Sequence, residues 1–267
     1  MPQTRQSVVP INKDLSRLEA LSQPGVAYGR DLEKREILPL HCHRRAQLVY
    51  ASQGVMTVAT QSASYVVPPQ RAVWMPAGVE HRIGARSAVA MRTLYIEPLL
   101  TTDLPTEVCV LQVTPLLREL IVAAVATGPC YEPDSPQSRI MSVIFDQIPA
   151  QPVASLALPM PTDPRVLRVA QSLLSNPADS RDLTAWASTV GASKRTLGRL
   201  FTAQTGMTFR EWRQQRRLLR SLELLATGDN VTSTALELGY DNTSAFIAMF
   251  RRCLGTTPAR YLSITDL

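Results

Sequence analysis

Nowhere in the 267 residues does an uninterrupted apolar run approach the ~18 that a membrane-crossing helix needs. The first thirty residues also lack the basic, then apolar, then small-residue order of a cleavable leader. A membrane span and a secretory signal are therefore not expected, and a cytoplasmic protein is. Cysteine is scarce: Cys42, Cys109, Cys130 and Cys253 form no CxxC pair, which excludes a disulfide framework and fits a reducing compartment. With 12 glycines and no GxGxxG there is no phosphate-cradling loop, and no Ser-His-Asp arrangement is visible. Histidine is rarer still, at three residues. Twenty prolines do not imply disorder, because 45% hydrophobic residues are ample for a core.

What is present is unevenly distributed. The net charge of +6 lies wholly in residues 164–267, where 14 cations face 8 anions; residues 1–163 are neutral. Thirteen of those 14 cations are arginine, the residue suited to bidentate phosphate and guanine contacts. A basic block on a neutral body points to a polyanion partner, although charge added for solubility would look the same. Between Pro149 and Pro164 five prolines fall in sixteen residues. That stretch cannot be helical, so residues 149–163 read as an extended linker between two domains.

Past the linker the pattern turns helical. Leu183, Trp186, Ala187 and Val190 share one face, Gly191 ends the segment, and Ser193 is an N-cap for a second helix carrying Leu197, Leu200 and Phe201. A small residue, a glycine four later and aliphatics beyond it are what a helix-turn-helix needs. Ala235 and Gly239 repeat Ala187 and Gly191 after 48 residues. Phe250 and Gly255 repeat Phe201 and Gly206 after 49, so the second turn holds one extra residue. Between the copies, Phe209, Trp212, Leu219 and Leu222 form the stripe of a long helix whose other face carries Arg213, Arg216, Arg217 and Arg220. Those arginines suit solvation, internal pairing or phosphates equally well.

The run from Gly239 through Asn242, Thr243, Ser244, Ala245 and Phe246 to Tyr261 resembles the signature of the AraC/XylS family of bacterial transcription regulators, and Ser193–Phe201 fits the same family. The resemblance covers about residues 164–262. It implies a seven-helix domain whose two recognition helices enter successive major grooves of operator DNA, about one helical turn apart. Carried over by position, Arg195, Gly198 and Arg199 would face bases from the first helix, and Thr243, Ser244, Ala245 and Ala248 from the second. Lys194, Asn242 and Arg251 would face phosphates. Arginines discriminate bases where alanines offer only methyl contacts, so the first helix is expected to carry most specificity. Thr234 departs from the pattern, standing where the family has an aliphatic residue.

Residues 25–98 read as short strands, among them 48–50, 55–58, 65–67, 73–75 and 91–96, separated by turn residues. On a strand His41 and His43 share one face and Cys42 the other. His41-x-His43-x3-Gln47-x6-Gly54 and Pro76-x-Gly78-x-x-His81 resemble the two motifs of the cupin superfamily, a β-barrel in which the equivalents of His41, His43, Gln47 and His81 converge on a divalent metal. Three imidazoles and an amide oxygen suit Zn, Ni, Fe or Mn. A polar pocket for an organic effector, or unrelated core histidines, would use the same residues. Arg44, Arg45 and Arg71 suit either an anionic effector at the barrel mouth or plain solvation. Two apolar helical faces follow, one of Leu116, Leu117, Leu120, Ile121 and Ala124, the other of Ile140, Met141, Ile144, Phe145 and Ile148. In the family such helices pair protomers, giving a homodimer; packing back on the barrel is the alternative. Residues 1–24 form a polar arm.

The expected fold is thus α+β in two domains: a cupin-like sensor over 25–148, its barrel at 25–98, and a double helix-turn-helix domain over 164–267. The expected function is sequence-specific transcription regulation in response to a small molecule or metal, with RNA polymerase as a further partner if the protein activates. The alternative is a metal-dependent cupin enzyme fused to a DNA-binding domain, with Glu80 as its acid/base group. No catalytic residue and no membrane partner is expected.

Overall fold

The structure is a computed structural model and describes residues 13–148, 153–154 and 156–263. Most of the arm (1–12), part of the linker (149–152 and 155) and residues 264–267 lie outside the described residues. Two compact units emerge. One comprises residues up to 60 together with 69–155; the other comprises 61–68 and 156 onward.

The first unit begins with helix α1 (Lys13–Glu19) and continues as antiparallel strands β1 (Gly25–Leu32), β2 (Ile37–His41), β3 (Ala46–Gln53) and β4 (Met56–Thr60). After an excursion into the second unit it resumes with β6 (Arg71–Met75), β7 (His81–Ala85), β8 (Val89–Ile96) and β9 (Cys109–Gln112). Helices α2 (Pro115–Thr127) and α3 (Pro136–Gln147) and the two-residue β10 (Val153–Ala154) complete it. One sheet runs β1-β8-β3-β6-β9-β10, and β4, β7 and β2 lie side by side in another. Strand β9 lies beyond residue 98, where the sequence pattern of the barrel stops, because only its pairing with β6 makes so short a segment a strand.

Gly54 shows why the β3–β4 turn needs glycine. Its φ is +78°, and a Cβ there would stand 2.1 Å from the Ala88 carbonyl oxygen. The larger sheet buries Leu48, Tyr50, Trp74 and Leu94 against Leu117 and Ile121 of α2 and Met141 and Ile144 of α3. Both helices therefore spend their apolar faces on the sheet. Leu116 departs from the expected face, being 55% exposed, because the buried stripe of α2 runs Leu117, Ile121, Ala124 and passes it by.

In the second unit β5 (Ala63–Val67) pairs with β11 (Ala157–Pro159), so part of the proline-rich stretch is strand. Among the described residues seven helices follow: α4 (Pro164–Ser175), α5 (Leu183–Thr189), α6 (Lys194–Thr205), α7 (Phe209–Ala226), α8 (Val231–Glu237), α9 (Thr243–Leu254) and α10 (Pro258–Ser263). The long α7 packs against α4 and α6 and against α8 and α10. Its start is fixed by a capping box in which Thr208 and Glu211 bond each other's backbone N–H groups. Trp212 then donates from Nε1 to the Pro159 carbonyl at 2.7 Å, tying α7 to β11.

The sequence repeat is visible in the structure. Gly191 and Gly239 have φ of +67° and +73°, and Gly206 and Gly255, which end α6 and α9, have +70° and +74°. The α5–α6 turn spans 190–193 and the α8–α9 turn 238–242, the latter holding the extra residue. Each copy has its own aromatic core: Phe201 with Phe209 and Trp212 in one, Phe246 with Phe250 and Tyr261 in the other. Thr234 is fully buried in the second copy, and its hydroxyl has no hydrogen-bond partner among the described residues. An unpaired buried hydroxyl costs about 1–3 kcal/mol, and the first copy carries a comparable cost at the buried, unpartnered Nε1 of Trp186.

Candidate effector pocket and nucleic-acid interface

All three histidines of the chain meet at one place in the first unit. His41 ends β2 and stands directly opposite His81, which opens β7. His43 lies just past β2 rather than on it, yet the alternation holds: His41 and His43 are buried and Cys42 is exposed. The rings are 4.2 Å (His41–His81), 5.1 Å (His43–His81) and 6.0 Å (His41–His43) apart, centre to centre. One nitrogen from each lies within 4.8 Å of the other two.

The hydrogen bonds around the rings assign the protons. Each Nδ1 faces a backbone carbonyl: Pro39 for His41 at 2.9 Å, Arg45 for His43 at 2.5 Å, Val79 for His81 at 3.0 Å. Carbonyls only accept, so each Nδ1 carries a proton, and Nε2 of His41 and of His81 is left with a lone pair. Nε2 of His81 has no partner among the described residues. Nε2 of His43 lies 2.9 Å from Oε1 of Gln47, on β3 of the larger sheet. The orientation of that amide follows from Thr93, whose hydroxyl donates to the Leu48 carbonyl and therefore accepts from Gln47 Nε2 at 2.8 Å.

The ring nitrogens of His41 and His81 and the amide oxygen of Gln47 thus converge, and the 2.9 Å contact of that oxygen with His43 Nε2 requires a proton or a cation between them. A divalent cation satisfies such a donor set, and the Nδ1–carbonyl bonds are the outer partners that hold metal-binding imidazoles in orientation. Burial lowers the pKa of His41, and burial together with the neighbouring His41 lowers that of His81 to about 3. Those two rings are neutral at pH 7, the form that binds metal.

Two residues of this site escaped the sequence motifs. Thr93 orients Gln47, and Tyr95 meets the His43 ring edge-on at 5.2 Å. Both alternate along β8, which places them on one face, but nothing local says that this face meets β3 and His43. Arg45 corrects an expectation. Its side chain is fully buried, bonded to the carbonyls of Leu21 and Gln23 and paired with Glu97 at 2.8 Å, so it is offered neither to solvent nor to an effector. Arg44 is exposed and bonds Glu19, and Arg71 donates to the Gln70 carbonyl.

In the second unit Lys194, Arg195 and Arg199 are exposed on α6, with Arg195 and Arg199 one turn apart on one side. Gly198 is half-buried, and a Cβ there would press the Leu183 side chain at 3.2 Å, so its smallness serves the α5–α6 crossing. On α9, Ser244, Ala245, Ala248 and Arg251 are exposed and Thr243 is half-buried. Asn242 is the N-cap of α9, its Oδ1 accepting from the Ala245 N–H at 2.8 Å, as Ser193 caps α6. Ser244, Ala248 and Arg251 line one concavity of about 630 Å³ with Ile247, Arg252 and Thr257. Arg252 was not singled out by the sequence pattern; its position next to Arg251 in the last turn of α9 is the signal that was there.

Comparison with known proteins agrees in both halves. Residues 24–158 match the AraC-like ligand binding domain, and residues 186–264 match a helix-turn-helix domain. The chain is 39% identical over 225 residues to the HTH-type transcriptional regulator NimR of Escherichia coli, covering 84% of this chain and 82% of that protein. It is 38% identical over 122 residues to the HTH-type transcriptional regulator RipA of Corynebacterium glutamicum, spanning 46% of this chain and 35% of that one. A structure of ToxT from Vibrio cholerae superposes with a TM-score of 0.39 at 12% identity, over 91% of this chain and 98% of that one.

Proposed function

This chain belongs to the AraC family of helix-turn-helix transcription regulators, with an AraC-like ligand binding domain ahead of its DNA-binding domain, and from that premise we propose how each half works. The DNA-binding half reads operator DNA through α6 and α9. Arg195, Gly198 and Arg199 face bases from α6, and Thr243, Ser244, Ala245 and Ala248 from α9. Lys194, Asn242 and Arg251 face phosphates, with Asn242 using its amide N–H groups because its oxygen caps α9. The observation that carries this reading is the exposure of the arginines on both repeated helices, in a stretch, residues 164–267, that holds all of the net positive charge.

The sensor half binds its effector at His41, His43, Gln47 and His81. The four would hold a divalent ion such as Zn, Ni, Fe or Mn, which supplies a Lewis-acidic centre for a donor atom of a small-molecule effector. The unpartnered Nε2 of His81 and the amide oxygen turned toward His43 support the ion over a purely organic ligand. A homodimer, contact with RNA polymerase during activation and a cytoplasmic location beside the DNA belong to the same reading. It assigns no catalysis to the chain. Glu80, the acid/base candidate of the enzyme alternative, is exposed next to His81 rather than buried with it.

Phosphate contacts make affinity salt-dependent. Binding of the full chain to a fluorescent duplex of arbitrary sequence should weaken by about a thousandfold between roughly 50 and 200 mM salt if some six phosphates are neutralised. A flat response, read by anisotropy, would leave the basic helices without a DNA role.

A further inference from the structure

The row Arg213, Arg216, Arg217 and Arg220 on α7 turns inward. Arg213 donates to the Arg181 carbonyl at 3.0 Å, Arg216 to the Leu174 carbonyl at 3.0 Å and Arg217 to the Pro177 carbonyl at 3.0 Å. All three acceptors lie at the end of α4 or in the loop that leads directly into α5 of the first helix-turn-helix. The same row reaches the second copy. Arg217 lies over the Tyr240 ring at 5.3 Å, and Arg220 bridges Glu223 at 2.9 Å and Glu237 of α8 at 2.8 Å. Glu223, buried within α7, also stands 3.7 Å from Arg216. Along the same seam Gly239, in the α8–α9 turn, meets the α4–α5 loop so closely that a Cβ would lie 2.9 Å from the Ala178 carbonyl oxygen.

The first aromatic core joins α6 to α7 and the second joins α9 to α10, and neither core includes rings from the other copy. The arginine row crosses between the two sides, alongside the packing of α7 itself and the Gly239–Ala178 approach. Charge-assisted bonds to fixed carbonyls and carboxylates are short and directional, so they hold an angle better than apolar contact does. Glu223 pairs with both Arg216 and Arg220, so one buried carboxylate offsets two of the four guanidiniums.

We propose that this row, with Glu223 as its hub, is a brace that sets the separation of α6 and α9 and so the number of base pairs between the two halves of the operator. Its members are positioning residues, acting on DNA only through the recognition helices. The proposal rests on the reading that both helices enter the duplex.

The test is selection from a pool of random duplexes by the full wild-type chain and by Glu223→Gln and Glu237→Gln. Wild type should enrich two motifs at one fixed separation. Glu223→Gln should enrich the same two motifs with separations spread by at least one base pair, and Glu237→Gln should do so to a lesser degree. Mere loss of stability would lower the yield of bound duplex and leave the separation unchanged. If both variants return the wild-type separation, the brace is refuted while the two-helix reading stands. If wild type enriches a lone motif, that reading fails and takes the brace with it. Should circular dichroism show Glu223→Gln unfolded, Glu237→Gln decides, because Glu237 is half-exposed and its loss leaves the buried pairs intact.

Discussion

Arg199→Ala should lower affinity for the selected operator by about 10- to 100-fold while weakening binding to arbitrary duplex only a few-fold. The asymmetry follows from what each recognition helix can offer a base pair. On α6, Arg195 and Arg199 are exposed one turn apart, and each guanidinium can grip a guanine with two parallel hydrogen bonds. On α9 the corresponding surface is Ser244, Ala245 and Ala248. A hydroxyl discriminates loosely, and a methyl contributes only by touching thymine. Lys194→Ala and Arg251→Ala should behave differently, reducing affinity for all sequences alike, because a phosphate contact carries no base information. Titration of each variant against operator and scrambled duplex separates the two kinds of loss. Equal loss on both duplexes for Arg199→Ala would move that residue to the phosphates and shift specificity to α9.

The second large effect concerns the histidine site. Zinc, nickel or manganese added to untagged, metal-stripped protein should raise the melting temperature of the sensor unit. At a hundredfold excess over Kd the stabilisation is about 2.7 kcal/mol, which for a unit of this size is on the order of 5–10 °C. In His81→Ala and in His41→Ala that metal-dependent increment should vanish. The increment is the informative quantity, since removing a fully buried ring lowers the baseline melting point whatever the site binds. Gln47→Glu should enlarge the increment, because a carboxylate in place of the amide oxygen adds a negative charge beside the cation. An increment that is absent from wild type, or that survives both alanine variants, would make the cluster a polar lining for an organic ligand.

Much of this is legible in the sequence because the signals are local. The helix-turn-helix repeat shows through Ala187 and Gly191 and their copies Ala235 and Gly239, since a turn of positive φ selects glycine within its own few residues. Ser193 reads as an N-cap for the same reason. The His41-x-His43 spacing, the glycine at 54 and the turn before His81 are likewise short-range requirements. What was not legible depends on partners far along the chain. Arg45 looks like any surface arginine until the carbonyls of Leu21 and Gln23 and the Glu97 carboxylate are brought to it. The α7 row has a helical spacing that fixes a face, but charge alone does not say whether that face meets phosphate or carbonyl. Strand β5 lies in sequence among the strands of the first unit, and only its pairing with β11 and their contacts with α7 assign it to the second.

Hydroxyl-radical footprinting of the full chain on a duplex recovered by selection asks most directly whether α6 and α9 both dock. The account predicts two protected tracts on one face of the duplex, centred about ten base pairs apart, as two recognition helices in successive major grooves require. One tract alone, or protection wrapping both faces without that period, would contradict it.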